Sequence, residues 1–310
     1  MLDVLLAIIP LYILISLGLV ASRIPGLKGA DASLNTFVFW FALPAFLFDS
    51  VATAPSGAGL PPSMFIVTFV ATLLFFCVVY LGAVLLGLKR LAGPLAAAAG
   101  YGNVAYLGFP VILSVFGQQA ALPMALAAMT HNILFLVGYP VLASFRQGGE
   151  GNIGRALLKA VPYNPTIVSV LLGLVFYATG WSLPGLIMTP ISMMAQAVIP
   201  VALFAVGLAL PPAIKALMNG GSSILAVLVV SVLKSVALPL LTWGAAVLFI
   251  PDPTGVLTGT LVLMAAMPTG VNAFTMAQEF DGEGRLVAAV IAVSTVLTLV
   301  TASVFGVLVA

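Results

Sequence analysis

The sequence predicts an all-α integral membrane protein of ten transmembrane helices, arranged as two inverted five-helix repeats. Three observations lead there. Of 310 residues, 63% are hydrophobic and only 6% are charged, whereas soluble domains carry roughly 25% charged residues. A soluble chain of this length could not cover its surface with so few charges. The apolar residues gather in runs of about 20, the length that crosses a bilayer as a helix. Finally, Lys and Arg fall on one side of the expected membrane.

Ten runs qualify as spans: 2–22, 33–54, 63–88, 93–117, 120–145, 164–181, 185–211, 222–250, 254–280 and 285–309. Most connections are short and carry Gly or Pro, such as Pro61-Pro62 and Pro251-Asp252-Pro253. The longest polar stretch, Arg146 to Lys159, lies between spans five and six. It divides the chain into a first repeat (1–145), a cytoplasmic connecting loop (146–163) and a second repeat (164–310). Asp3 precedes the first apolar run, and Arg23 and Lys28 follow it. A cleavable signal begins with basic residues instead, so span one is expected to remain with its N-terminus outside. The odd-numbered loops contain Arg23, Lys28, Lys89, Arg90, Arg146, Arg155, Lys159, Lys215 and Arg285, and the even-numbered loops contain no Lys or Arg. The tenth cation, Lys234, lies within span eight. Nine against none places the odd loops in the cytoplasm. The expected location is the cell inner (plasma) membrane, multi-pass, with both termini on the non-cytoplasmic side.

The two halves share a spacing plan. Leu17-Gly18-Leu19-Val20 in span one reappears as Leu172-Gly173-Leu174-Val175 in span six. Pro44 in span two has its counterpart in Pro200 of span seven, and Pro110 in span four has its counterpart in Pro268 of span nine. Gly18 to Pro44 is 26 residues and Gly173 to Pro200 is 27; Pro44 to Pro110 is 66 and Pro200 to Pro268 is 68. Five spans per half is an odd number, so the second half must insert upside down, as in many secondary transporters.

Spans four and nine are expected to be broken. Span four contains Gly100-Tyr101-Gly102-Asn103 and, further on, Gly108-Phe109-Pro110; span nine contains Met267-Pro268-Thr269-Gly270-Val271-Asn272. Proline removes a backbone donor and clashes with the preceding turn, and freed backbone groups in lipid must find partners or line a wet cavity. Interrupted spans at equivalent places in two halves point to a transport site. Half-helix N-termini there favour anions, and open carbonyls suit cations. Asn103 and Asn272 can donate to a ligand oxygen and accept from another group.

These residues resemble the auxin efflux carrier family, within the wider superfamily that includes sodium–bile acid symporters. The resemblance rests on Ala42-Leu43-Pro44, Asn103 with Gly108-Phe109-Pro110, Asn164-Pro165, Ile199-Pro200 with Gly207, and Met267-Pro268-Thr269 with Asn272. It covers essentially the whole chain, which looks like a short, bacterial-type member without the long loop of plant carriers. The resemblance implies ten helices with spans four and nine crossing. It also implies a scaffold of spans one, two, six and seven, usually dimerising, so a homodimer is expected. The remaining spans (three, four, five, eight, nine and ten) would form an elevator-like transport domain. Family substrates are mostly organic anions, auxin-like or dicarboxylates such as malonate or malate. The implied substrate-binding residues are Asn103, Pro110, Pro268, Thr269 and Asn272. Asn103 precedes Pro110 by seven residues while Asn272 follows Pro268 by four, so the local geometry is not strictly repeated.

Ionisable groups inside spans are functional candidates. Lys234 could neutralise a substrate carboxylate or replace a coupling cation. His131, beside Asn132, can carry protons near neutral pH, or else pack as a hydrogen-bonded core histidine. Gln278 and Glu279, beside Asp281 and Glu283, are candidates for binding a coupling ion, with most of these acids expected to be solvated. Asp49 is expected at an outer rim. Thr130, Ser294 and Thr295 could add oxygens or simply pack. Proton coupling, sodium coupling and membrane potential all remain compatible.

Other classes have little to stand on. Net charge is +2, too small for nucleic-acid binding. Gly149-Glu150-Gly151-Asn152-Ile153-Gly154 matches a dinucleotide glycine pattern but follows no strand. Cys77 is the only cysteine and His131 the only histidine, so no zinc spacing, metal site or catalytic triad is expected, and neither is a cofactor or an enzyme activity. Cys77 reads as a small core or lipid-facing residue. The expected function is a secondary transporter of a small organic anion. The alternative is a sodium-coupled symporter of larger amphipathic substrates, bile-acid-like or sterol-like; a channel or sensor is a third class.

Overall fold

A computed structural model describes residues 2–54, 61–146, 162–218 and 224–309, with side chains omitted for 2–8 and 212–218. The helices are α1 (Leu2–Ala21), α2 (Ala30–Ala52), α3 (Pro62–Leu85), α4 (Ala92–Gly100), α5 (Val104–Phe116), α6 (Ala121–Arg146) and α7 (Pro165–Thr179). There follow α8 (Gly185–Gln196), α9 (Val198–Met218), α10 (Ile224–Phe249), α11 (Val256–Ala266), α12 (Val271–Asp281) and α13 (Gly284–Val309). Among the described residues the single β-feature is an isolated antiparallel bridge between Gly102 and Thr269.

Among the described residues, six helical segments are long and apolar enough to cross a membrane: Ala30–Ala52, Pro62–Leu85, Gln118–Arg146, Gly185–Pro211, Ile224–Phe249 and Gly284–Val309. Four shorter apolar segments, Ile9–Ala21, Val104–Phe116, Pro165–Thr179 and Val256–Ala266, lie in expected spans one, four, six and nine. Two boundaries differ from the sequence reading. The helix of span seven bends at Ala197 and runs on to Met218, so Lys215 belongs to a helix end rather than a loop. Arg285 likewise lies in the first turn of α13. The glycine-rich stretch 149–154, Arg155 and Lys159 lie outside the described residues.

Helix α3 shows which solvent the surface is built for. One face buries Met64, Val67, Thr68, Ala71, Thr72 and Phe75. The opposite face exposes Phe69, Leu73, Leu74, Val78, Leu81 and Leu85, with Cys77 among them. A helix that is apolar all round is at home in lipid. The polar Thr68 and Thr72 are on the inner side, the reverse of a soluble helix.

Proline shapes three helices in the same way. Each of α2, α5 and α10 widens into a π-turn, at Val38–Ala42, Val104–Gly108 and Leu233–Ala237. Each π-turn ends two residues before a proline: Pro44, Pro110 and Pro239. The ring of a helical proline collides with the carbonyl four residues back and has no N–H to offer it. Widening the turn moves that carbonyl aside. The N–H of Leu43 then reaches Val38 O, and that of Leu238 reaches Leu233 O, five residues back. Gly108 N–H does the same to Asn103 O at 3.1 Å. Single π-turns concentrate at functional positions; here one follows Asn103 and another contains Lys234.

Glycines set two close helix crossings. A methyl built on Gly18 of α1 would run into Phe204 O of α9, 3.0 Å from Gly207 Cα. A methyl on Gly173 of α7 would lie 3.2 Å from Phe48 O and 2.9 Å from Val51 Cβ of α2. Small residues let membrane helices approach this closely. Gly207→Val should therefore lower the melting temperature in detergent, since overpacking costs about 1–3 kcal/mol. Gly82→Ala, where nothing lies within 4 Å, should leave it unchanged or slightly raised. An unchanged melt for Gly207→Val would show that the α1–α9 crossing is not tight.

Two apolar clusters form the core. The larger gathers Leu43, Leu47, Phe109, Ile112, Leu126 and Leu203 from α2, α5, α6 and α9. The smaller gathers Phe75, Ala96, Phe135, Val227, Ala277 and Val287 from α3, α4, α6, α10, α12 and α13. Tyr101 belongs to one cluster and Val104 to the other, as do Ala265 and Met264. The helix breaks thus sit where the two cores meet.

Candidate functional site

The chain leaves helical geometry between α4 and α5 at residues 101–103, and between α11 and α12 at 267–270. The second break follows from Pro268: the residue before a proline is pushed out of the α-region, and Met267 is extended at φ −63°, ψ 148°. Freed backbone groups inside a membrane need partners. Each break supplies the other's. Asn103 N–H donates to Pro268 O at 2.6 Å, and Gly270 N–H donates to Tyr101 O at 3.0 Å. The two breaks therefore cross in contact.

The C-terminal ends of the half-helices are closed by side chains. Thr269, 1% exposed, donates from Oγ1 to Ala98 O at 2.7 Å, and its N–H donates to Ser294 Oγ at 3.1 Å. Lys234 Nζ donates to Ala265 O at 2.9 Å, and Thr298 Oγ1 donates to Ala266 O at 3.2 Å. A cation at a helix C-terminus complements its dipole, and these bonds satisfy carbonyls that a helix end leaves free.

The N-terminal ends face an open cleft with about 30 Å³ of room for water-sized particles. The starts of α5 (Asn103–Tyr106), α7 (Asn164, Thr166) and α12 (Gly270–Asn272) all line it, with Phe39, Tyr101 and Asn132. Asn103 caps its helix: Oδ1 accepts from Tyr106 N–H at 3.3 Å. Asn164 Oδ1 accepts from Thr166 and Ile167 N–H at 3.0 and 3.2 Å, with Pro165 in the first helical position. A backbone N–H can only donate, so these bonds identify Oδ1 and leave each Nδ2 as a donor for a ligand. Tyr101 ties the third asparagine in place: its hydroxyl donates to Asn132 Oδ1 at 2.7 Å and accepts from Asn272 Nδ2 at 2.8 Å. Among the described residues, no Asp, Glu, Lys or Arg lines the cleft. The chemistry it presents is amide donors and helix starts, which favour anions.

The residues singled out in the sequence fall in distinct places. Asn103 and Asn272 line the cleft. Pro268 contributes its carbonyl to the crossing, and Thr269 locks the crossing from behind. Pro110 is buried in α5 and sets the π-turn. Lys234 and His131 do not line the cleft; they lie behind the crossing, where His131 Nε2 accepts from Gly102 N–H at 3.0 Å. Gln278 and Glu279 are exposed near the end of α12. Asp49 lines a wider cavity of about 470 Å³ at the far end of α2. Asp281 departs from the expectation of a solvated acid. Its side chain is 6% exposed, 2.8 Å from Arg146 Nη1, and its Oδ2 accepts from Tyr139 OH at 2.6 Å. Position beyond a helix end suggested solvent, but α6 and α12 end side by side. Sequence reasoning did not single out Tyr101, Tyr106 and Phe39 as lining residues, and it used Asn164 only as part of a family pattern. The readable signal at Asn164 was Asn-Pro opening a helix, a cap followed by proline.

Broken helices crossing inside an apolar bundle, with helix starts aimed at a polar cleft, define a multi-pass membrane transport protein. Comparison with known proteins places it further: the chain matches the family "Membrane transport protein" over residues 3–152 and 151–306, and it belongs to that family, the auxin efflux carriers. A Rhizobium meliloti protein named "Putative malonate transporter" is 31% identical over 306 residues, covering 95% of this chain and 92% of that protein. An "Uncharacterized transporter" of Methanothermobacter thermautotrophicus is 28% identical over 298 residues, covering 95% and 94%.

Proposed function

We propose that the protein carries a small organic anion, foremost a short dicarboxylate such as malonate, by elevator-type alternating access. The observation that carries this reading is the convergence of three helix starts on one cleft whose described lining has amide donors and no acidic side chain. Each start contributes the positive end of a helix dipole; at α7, where Pro165 has no N–H and Asn164 already caps Thr166 and Ile167, the donor is Asn164 Nδ2. A dicarboxylate can place one carboxylate at the α5 and α12 starts and the other at α7. The name of the Rhizobium meliloti relative points to the same substrate class.

In this reading the chain makes ten spans as two inverted repeats, residues 1–145 and 164–310, joined by a cytoplasmic loop. The glycine crossings support it: Phe48 lies four residues after Pro44, and Phe204 lies four after Pro200, so each repeat receives the other's glycine at an equivalent site. The scaffold is α1, α2, α7, α8 and α9, and the other helices move. The cleft lies between the two groups, with Phe39, Asn164 and Thr166 on the scaffold side. With odd loops in the cytoplasm, the α7 start faces inward and the cavity beside Asp49 faces outward. Along α2 and α5, Phe46 and Phe109 stand between the two, ring centroids 5.1 Å apart and edge to face. That pair closes the outer path in an inward-facing state.

The test is uptake of labelled malonate into proteoliposomes, with sodium, proton gradient and membrane potential varied separately. Saturable uptake is expected, inhibited by other short dicarboxylates and far less by monocarboxylates. Folded protein that moves no member of a broad acid panel would rule out the organic-anion reading.

A further inference from the structure

Behind the crossing, on the side away from the cleft, lies a second and largely enclosed cavity. Thr68, Thr72, His131, Lys234 and Thr242 contribute its polar lining. It has room for about one water-sized particle, so no dicarboxylate fits.

Two of its polar groups, His131 Nδ1–H and the Lys234 ammonium, can only donate. Gly102 N–H can only donate, so His131 Nε2 must accept; the neutral ring then carries its proton on Nδ1. That Nδ1 is buried and has no hydrogen-bond partner, and His131 is 3% exposed. Thr68 Oγ1 is also buried without a partner. Lys234 is fully buried, at 0% exposed. Its ammonium has three donors, and Ala265 O takes one. Among the described residues the ion pairs are Arg90–Glu283 and Arg146–Asp281; no carboxylate pairs with Lys234. A buried charge without a counter-charge is costly, and unpaired buried donors add to that cost.

We propose that this cavity binds a monatomic halide, chloride in the cell, held by Lys234, His131 and Thr68. One small anion supplies the missing counter-charge and accepts from all three groups at once. A water accepts hydrogen bonds there but leaves the Lys234 charge uncompensated. Nζ would also lie 3.2 Å from a methyl built on Gly102. The halide therefore braces the crossing from behind while the transported anion binds in front. This site is independent of which organic anion the cleft carries.

The experiment compares thermal melting of purified protein in sodium chloride, bromide and gluconate at equal ionic strength, since gluconate is too large for the cavity. Saturable stabilisation by chloride and bromide, a rise of at least about 3 °C over gluconate, is expected of a ligand bound only to the folded state. Bromide-soaked crystals should show an anomalous peak in contact with Lys234 Nζ. Thr68→Val keeps the side-chain shape and should weaken halide affinity at least fivefold; Lys234→Met should abolish the halide effect. If Lys234→Met fails to fold, Thr68→Val still decides. Equal melting in chloride and gluconate overturns the proposal. So does a halide effect that survives Thr68→Val but disappears in Asn103→Asp, because it places the ion in the front cleft.

Discussion

Asn103→Asp is expected to leave the protein folded while reducing anion transport at least 100-fold. In the proposed reading the two effects separate, because the residue has two jobs on different atoms. Oδ1 caps α5 by accepting from Tyr106 N–H. Asp caps a helix as well as Asn does, and a negative charge at a helix start adds about 0.3–1 kcal/mol of stability. Melting temperature should hold or rise slightly. Nδ2, in contrast, is lost. A hydrogen bond to a charged group contributes about 1.5–3 kcal/mol, and the new carboxylate repels an anion in the same cleft. At about 1.4 kcal/mol per tenfold, the sum exceeds two decades. Labelled-malonate uptake and a thermal melt on the same preparation check both halves. Wild-type uptake by the Asp variant would remove Asn103 from the binding site; a collapsed melt would mean that its capping role had been misread.

Gly270→Ala should damage both stability and transport. The backbone at Gly270 is ordinary, with φ −83°, so conformation does not require glycine there. Space does. A methyl would lie 2.7 Å from Tyr101 Cε1 and 2.9 Å from Gly102 O. One of these is backbone, and the ring is held at its hydroxyl by Asn132 and Asn272, so neither gives way cheaply. Overpacking of this kind costs about 1–3 kcal/mol, and pushing Tyr101 aside also releases Asn272. Melting temperature should fall and uptake should drop by more than the loss of folded protein explains. Gly244→Ala, with nothing within 4 Å, is the control. Equal behaviour of the two variants would show that the crossing tolerates extra volume.

Much of the candidate site was legible in the sequence, and the reasons are local. Pro268 forbids a continuous helix through span nine whatever surrounds it. Gly102 and Gly270 lie in the two breaks where backbone meets backbone, and Asn103 and Asn272 beside them line the cleft. Lys234 was legible as a buried cation but not in its role. Nothing within span eight indicates that its ammonium meets the end of α11 rather than the cleft. The burial of Asp281 was equally hidden, because its partners Arg146 and Tyr139 come from a helix far away in sequence.

Composition, cation placement and the positions of Pro, Gly and Asn were enough for the membrane class, the family and the helix breaks. Those features act through backbone geometry and solvation, which a few neighbouring residues control. Which helix starts share a cavity, which side chain closes which helix end, and which face of the crossing holds Lys234 and His131 came only from the folded chain. Those facts depend on how distant helices cross, and crossing is set by close packing across the bundle, for which no short stretch of sequence carries the information.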